Sequence, residues 1–542
     1  MSDIVLAAIN AKWIHPSFAL RLLKANLNDS LDRSDLLDRS DLAGRTEILE
    51  FALRQPLREM ADAITAACPK VLGLSVSIWN HKATLELLKL LEVTAIPWVV
   101  LGGPEVTWLP NDSAIFNYAD YVIRGEGEKT FGELCKKLLA APDSRPTENK
   151  IPRKTEFITA QPADLSELVR PYDLYTDDDL KHRLIYVESS RGCAFGCDFC
   201  LSAVEPESGF SGEKSVTDPA KTSSIKTVHE KTGLKKIREF PPDVFLADMD
   251  RLLDRMDTAA EARDNGHIHT IKFLDRSFNL NPERAVRILE FFLERIERGK
   301  PRLCVHFEMV PFIFPSRLRT VLSRFPPGSL RLELGIQTLN PATAALINRA
   351  GDAEGSLETL AFLRGSTSAI VHADLIAGLP GEDFQSFGNG FDRLWIAMTA
   401  AAGGQMTGGQ TTACGQTIVR QTTFAPMEIQ PGILKLLPGA PMSRHTAAYG
   451  MVYSEEPPYE VLQTSVISAQ QMDRLKNFAR FWELLVNRGN FNDQVLRFAP
   501  SGEPVFWRFM RLSDSLLARF GRNWGIARDD LRCALPEYSG LE

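Results

Sequence analysis

Cysteine is scarce in this chain, with eight residues in 542. A protein of this length with so few thiols is not held together by a disulfide framework. No apolar run approaches the roughly 20 residues of a membrane-spanning helix. Basic residues are not in excess either: the formal net charge of −7 leaves none of the basic footprint that a general nucleic-acid surface needs. The opening Met1-Ser2-Asp3-Ile4-Val5 enters a strand-like stretch directly, without the basic and then apolar regions of a secretory leader. These absences predict a cytoplasmic protein with no membrane attachment. What remains is ordinary globular composition, 44% hydrophobic and 24% charged, and length for about three or four domains.

Three of the scarce cysteines are nevertheless crowded together. Arg191-Gly192-Cys193-Ala194-Phe195-Gly196-Cys197-Asp198-Phe199-Cys200 follows the strand-like run Leu184-Ile185-Tyr186-Val187. Glycines precede and separate the thiols, so the loop can curl round a small inorganic cube. A [4Fe–4S] cluster takes four ligands, so three cysteines leave one iron open to chelate a substrate. Structural zinc would need a closed set of four, usually two separated pairs, and no second pair is present. A chance cluster of buried thiols is the remaining alternative.

Here the sequence resembles the radical S-adenosylmethionine (SAM) superfamily, whose signature is Cys-x3-Cys-x2-Cys with an aromatic before the last Cys, in this chain Phe199. The resemblance implies that Cys193, Cys197 and Cys200 ligate the cluster. It also implies that the open iron holds the amino and carboxylate groups of SAM, and that reductive cleavage yields a 5′-deoxyadenosyl radical. The protein's own share is to place the cofactor and exclude side reactions.

Upstream, from Ser2 to about Ala141, candidate strands Ile4–Ala8, Glu47–Phe51, Val71–Ile78, Trp98–Leu101 and Tyr121–Ile123 alternate with helix-like stretches. That pattern predicts a parallel sheet covered on both faces, in flavodoxin-like order, with ligands beyond the carboxyl ends of the strands. Those ends carry Asn10, Ser75, Ser77, Gly102-Gly103-Pro104-Glu105 and Gly125-Glu126-Gly127-Glu128. In order and placement they resemble the cobalamin-binding domain that precedes many radical SAM cores. The resemblance implies corrinoid contacts at Asn10, Trp13, His15, Ser75, Ser77, Gly102, Gly103, Pro104, Glu105, Gly125, Glu126 and Gly127. It departs in one place. Domains that ligate cobalt through histidine carry Asp-x-His-x-x-Gly, whereas this chain reads Asn10-Ala11-Lys12-Trp13-Ile14-His15-Pro16. We therefore expect His15 to pack or hydrogen-bond rather than to bind cobalt.

Residues 142–180 hold five prolines without sustained periodicity and are expected to form an extended linker between a cobalamin domain at 1–141 and a core at 181–442. In the core, expected strands at Leu184–Val187, His269–Leu274, Leu303–Phe307, Leu330–Gly335, Ala369–Ile376 and Ile433–Leu437 predict a partial (β/α)6 barrel, with chemistry at the strand carboxyl ends. The resemblance implies SAM contacts at Phe199, Asp275, Arg276, Glu308, Gln337 and Asp374. Asp374-Leu375-Ile376-Ala377-Gly378-Leu379-Pro380-Gly381-Glu382 is similar to the family's fifth-strand motif. Helical periodicity takes over at about 443–542, where Trp482, Trp507 and Trp524 suggest an aromatic-rich cap. Gly432 to Met442, Pro457-Pro458-Tyr459-Glu460-Val461-Leu462 and the opening Asn10–His15 resemble a cobalamin-binding radical SAM subgroup with a C-terminal domain of unknown function, DUF4080.

The implied activity is that of a cobalamin-dependent radical SAM enzyme methylating an unactivated carbon of a small molecule or peptide. Methylcobalamin would carry the methyl group, and an external donor of flavodoxin or ferredoxin type would supply electrons. Ring formation, rearrangement or redox chemistry with the same cofactors is the alternative, and a non-catalytic corrinoid and iron–sulfur sensor a third reading. A methylthiotransferase would need a second cysteine triplet, and the other five cysteines are scattered. Three further segments are expected to be surface insertions: the Asp-Arg-Ser-Asp-Leu repeat in 32–42, the stretch near 204–236 and the one near 399–426.

Overall fold

The computed structural model describes residues 2–28, 41–92, 96–140, 154–204, 237–261, 268–299, 302–400, 427–488 and 504–535. Most of the repeat in 32–42, nearly all of the two later insertions, and Cys414 lie outside these. Ile4–Asn10 (β1) is buried at every position, as a central strand covered on both faces must be. It pairs in parallel with Thr46–Ala52 (β2) and Val71–Ser75 (β3). Trp98–Gly102 (β4) and Tyr121–Arg124 (β5) complete the order 2-1-3-4-5. The connecting helices are Phe18–Ala25 (α1), Leu57–Ala66 (α2), His81–Leu91 (α3), Pro104–Trp108 (α4) and Glu128–Ala140 (α5).

The expected linker is not merely extended. Glu156–Thr159 (β6) adds a sixth parallel strand beside β5, and Asp177–His182 (α6) is a short helix with a Thr176–Asp179 capping box. Four residues at a sheet edge, with prolines nearby, carry too little periodicity to announce a strand. Arg21 of α1 and Arg183 meet Glu50 of β2 and Asp179 of α6 at 2.7–3.0 Å in a buried ionic cluster. Phe18 and Leu22 enter the same apolar core as Tyr172 and Tyr175. The first domain and the linker are thereby packed against the second sheet.

That second sheet is parallel and six-stranded. It comprises Ile185–Val187 (β7), His269–Phe273 (β10), Leu303–Met309 (β11), Leu330–Gln337 (β12), Ile370–Ala377 (β13) and Met427–Ile433 (β14), adjacent in that order. Between β7 and β10, Ser190–Arg191 (β8) and Arg238–Glu239 (β9) form a two-residue antiparallel pair. Crossover helices Pro242–Glu261 (α7), Pro282–Glu297 (α8), Ser316–Leu322 (α9), Pro341–Leu346 (α10), Ala353–Ser366 (α11) and Phe384–Ala400 (α12) accompany them. β14 lies upstream of the expected Ile433–Leu437. It contains Pro431 and Gly432, which read as breakers, but an edge strand tolerates a residue without an N–H.

The tail is mainly helical: Ala469–Trp482 (α13), Val505–Phe520 (α14) and Arg528–Ala534 (α15). Strands do not stop at Ser443, because Val452–Tyr453 (β15) and Val461–Gln463 (β16) pair antiparallel. Phe391 of α12 meets Phe478 and Trp482 edge-on at 5.1 and 4.8 Å, so aromatic rings seat the tail on the barrel.

Candidate functional site

The cysteine segment leaves the carboxyl end of β7 through Ser190–Arg191. Cys193 and Cys200 are half-buried and Cys197 is buried. Burial pushes the Cys193 and Cys197 thiols up, and the neighbouring thiols add repulsion between negative charges. Without cationic metal, three thiolates here oppose one another. Nearby iron would reverse that balance. Among the described residues no three His, Cys, Asp or Glu side chains converge closely enough to hold a single ion. A Cβ at Gly192 or Gly196 would meet nothing within 4 Å, so there is open space beside the sulfurs. Arg349 points an N–H at Cys197 Sγ at 3.7 Å, and Ser277 stands beside Cys193. Three thiols, a cationic neighbour and an open cradle suit a [4Fe–4S] cluster.

Period two on the strands now yields a second feature. Leu330, Leu332 and Leu334 of β12 are fully buried, while Arg331, Glu333 and Gly335 are only partly so. The same alternation brings Lys272, His306, Glu308, His372, Asp374 and Glu428 onto one polar face of the sheet. Lys272 lies 3.1 Å from Glu333 and 4.0 Å from Glu308, and His306 Nε2 is 3.2 Å from Glu333. His372 bridges Asp374 and Glu428, each at 2.9 Å. Burial works against a charged imidazole there, but hydrogen bonds to the two carboxylates prevail and raise His372 to about 10. Burial lowers His306 despite Glu333. Charges of both signs on one face suit a ligand carrying an ammonium and a carboxylate together.

The expected SAM residues divide. Glu308 and Asp374 lie on this face; burial raises both carboxyls. Arg276 reaches Glu308 at 3.3 Å with its side chain 57% exposed. Gln337 sits at a bulge with φ +71°, sparsely populated for a residue with a Cβ, and folds over Gly335. Phe199 packs against the barrel core. Asp275 is enclosed. It is 0% exposed and accepts from Ser189 N–H at 2.9 Å and from the Ser189 and Ser190 hydroxyls at 2.5 Å each. It anchors the root of the cysteine loop.

The expected corrinoid residues also divide. Trp13 is 52% exposed just beyond β1, alongside the exposed Ile14; Trp79, beyond β3, is 53% exposed. Large apolar rings left bare at the carboxyl ends of a doubly wound sheet suit a broad macrocycle. Trp79 escaped the sequence reading because nothing in Ser77-Ile78-Trp79-Asn80 distinguishes a surface ring from core. Gly103, at φ +109°, is required by close approach, since a Cβ would lie 2.5 Å from Val76 O. Pro104 begins α4. Gly102, Gly125 and Gly127 stand at the turns after β4 and β5, Ser75 ends β3, and the buried Ser77 donates its N–H to Asn80. Three polar side chains are turned elsewhere. Asn10 donates to Glu50 at 3.1 Å. Glu105 is buried and meets His81 at 2.9 Å and the Tyr459 hydroxyl at 2.7 Å. Glu126 pairs with Arg191 at 2.8 Å and with Arg238. His15 Nδ1 lies 2.8 Å from the Tyr186 hydroxyl on β7, the hydrogen-bonding role expected of it.

Comparison with known proteins places these observations. A B12 binding domain model matches residues 4–135, the radical SAM superfamily model residues 187–394, and DUF4080, a protein family of unknown function, residues 447–515. A 2-(S-pantetheinyl)-carbapenam-3-carboxylate methyltransferase of Streptantibioticus cattleyicolor is 33% identical over 164 residues, 27% of this chain and 23% of that protein. An uncharacterised methyltransferase of Pyrococcus horikoshii is 32% identical over 210 residues, 36% of this chain and 44% of its own. The chain thus spans less than half the length of either curated relative. Among solved structures, the cobalamin-dependent SAM radical enzyme OxsB with aqua-cobalamin and SAM bound superposes with TM-score 0.57 at 11% identity, covering 98% of this chain and 74% of that one. The methyltransferase TsrM of Kitasatospora setae gives 0.50 at 15%, covering 87% and 81%. At such identities these likenesses show the fold.

The chain carries a B12 binding domain followed by a radical SAM domain. A DUF4080 region follows them toward the C-terminal end, and the cofactors these domains imply are a [4Fe–4S] cluster, SAM and cobalamin.

Proposed function

We propose that this chain is a cobalamin-dependent radical SAM methyltransferase that modifies an unactivated carbon of a small molecule or peptide. One observation carries the reading: the cysteine loop and the first domain's sheet end are joined directly. Arg191, which opens the loop, donates to Glu126 at 2.8 Å and to Glu128 at 2.7 Å on the first domain. Leu184 N–H donates to Ile14 O at 3.0 Å. The region for the radical source and the region for the methyl carrier therefore share one rigid boundary. When bound, cluster and SAM supply a carbon-centred radical and cobalamin supplies the methyl group.

The chain's own residues bind, orient and exclude. Cys193, Cys197 and Cys200 would hold the cluster. Arg349 offers Cys197 a charge-assisted N–H, which favours thiolate. Asp275 fixes the loop's root through Ser189 and Ser190. Arg276, Glu308 and Asp374 would present both signs to the amino acid portion of SAM, and Trp13 and Trp79 would cover apolar corrin surface. An sp³ carbon offers no lone pair to an electrophilic methyl group, which is why a radical source and a methyl carrier belong in one chain. The electron comes from an external donor of flavodoxin or ferredoxin type.

Anaerobically reconstituted protein, incubated with SAM, reductant and candidate substrates, tests the reading. Deoxyadenosine and S-adenosylhomocysteine formed in step with a product heavier by one methylene are expected. Deoxyadenosine without homocysteine product would replace methyl transfer by the rearrangement or redox alternative.

A further inference from the structure

The DUF4080 region has no assigned role, yet one segment beginning just before it touches both cofactor regions. Asp198 lies between two of the cluster cysteines, and its side chain is 1% exposed. It accepts from His445 Nε2 at 2.7 Å, from Arg444 at 2.5 Å and from Asn348 at 3.0 Å. Its own N–H donates to Ile347 O at 3.0 Å. A carboxylate beside three thiolates adds negative charge, and the cation and imidazole of the Pro441–His445 turn both balance and immobilise it.

The same segment ends on the other domain. The Tyr459 hydroxyl donates to the buried Glu105 carboxylate at 2.7 Å, and Glu456 meets Lys82 at 2.5 Å. Glu105 also holds His81, so three elements converge in the turn after β4. Tyr459 has φ +56°, a conformation a residue with a Cβ adopts at an energetic cost. Midway, a Cβ on Gly381 of the fifth-strand motif would lie 3.4 Å from the Tyr449 ring. Just upstream, Gly439 lets the Trp108 indole approach to where a Cβ would lie at 2.5 Å. A cap that only covered barrel core would not need polar contacts at each end, one on the cluster loop and one on the corrinoid domain.

We propose that Pro441–Tyr459 is a strap that holds the cluster loop and the cobalamin domain at a fixed separation, with Asp198 and Glu105 as the positioning residues it grips. The proposal rests on the cofactor assignment above. The strap turns two cofactor sites into one geometry.

Full-length protein reconstituted anaerobically with iron, sulfide and hydroxocobalamin, then reduced to the paramagnetic cluster and cob(II)alamin, tests it. Pulsed electron paramagnetic resonance reads the cluster-to-cobalt distance from their dipolar coupling. The parent is expected to give one narrow distance distribution. Tyr459→Phe combined with Lys82→Ala, and separately His445→Ala, should each widen it about twofold while retaining iron and corrinoid. His445→Gln, which keeps an N–H donor, should restore the narrow form. Distributions identical to the parent's in both variants would overturn the strap, even if their melting temperatures fall. A parent that takes up no corrinoid or no iron would overturn the cofactor assignment and the strap with it.

Discussion

Arg191 Nη2 donates to Glu128 Oε1 at 2.7 Å, across the boundary between the two cofactor domains, from the residue that opens the cluster loop to the first turn of α5. The same guanidinium holds Glu126 at 2.8 Å and Glu188 at 3.0 Å. Burial opposes its charge, but three carboxylates overcome that and raise its pKa well beyond the ordinary range. Glu188 shows the converse: burial lifts it to about 7 despite Arg191. Arg191→Met strands Glu128 and Glu188 in a largely buried place, while Glu126 keeps Arg238, a change worth about 3 kcal/mol. We expect a lower denaturation midpoint and joint loss of iron and corrinoid. Retention of both at parental levels would separate the two sites.

Thiol identity gives a second expectation. Cys197→Ala should lose most of its iron and its SAM cleavage, because among the described residues that loop holds only Cys193 and Cys200 besides it, and no spare thiol could take its place. Cys135 is buried within the first domain, where burial alone lifts it to about 12. It is a small apolar filler there. Cys135→Ala should keep full iron at a stability loss of about 1 kcal/mol. Iron and sulfide analysis of the two variants side by side decides the matter.

His15 and Trp79 should respond in opposite ways to substitution. His15 is held by Tyr186, and burial lowers its pKa, with the charges of Lys12, Lys272 and Arg183 adding to the effect. His15→Ala should leave the absorption spectrum of bound cobalamin unchanged, because the imidazole is held by the Tyr186 hydroxyl. Trp79→Ala removes an exposed ring and should weaken corrinoid retention several-fold on gel filtration. A spectral shift with His15→Ala would reinstate it as an axial ligand.

Glu382, in the fifth-strand motif, gives a pH dependence. Its Oε1 accepts from Thr338 at 2.8 Å and Ser386 at 3.4 Å, whereas Oε2 has no partner among the described residues. Burial raises it from 4.5 to about 7. The unfolded chain then releases its proton first, so stability falls as pH rises from about 4.5 to about 7 and is level above. The loss is about 3 kcal/mol. Glu382→Gln should flatten that slope and melt higher than the parent at pH 8. Parallel melting curves of parent and variant at pH 5 and pH 8 would contradict it.

Local pattern determined much of this protein. The cluster cysteines were legible because three thiols so close together have few other uses, and the two parallel sheets because βα alternation repeats along the chain. The barrel's charged face was within reach too: Arg331-Leu332-Glu333-Leu334 already alternates charge with leucine. β6 and β14 were not legible, since edge strands rely on a neighbour's hydrogen bonds rather than on their own periodicity. Tertiary structure alone decided what the polar residues face. Asp275 reads as a ligand at a strand end until three donors from the cysteine loop's root enclose it. Glu126 and Glu105 read as corrinoid contacts until Arg191 and Tyr459 arrive from distant segments to take them. A buried carboxylate must find its partners wherever the fold brings them, and sequence spacing carries no record of that distance.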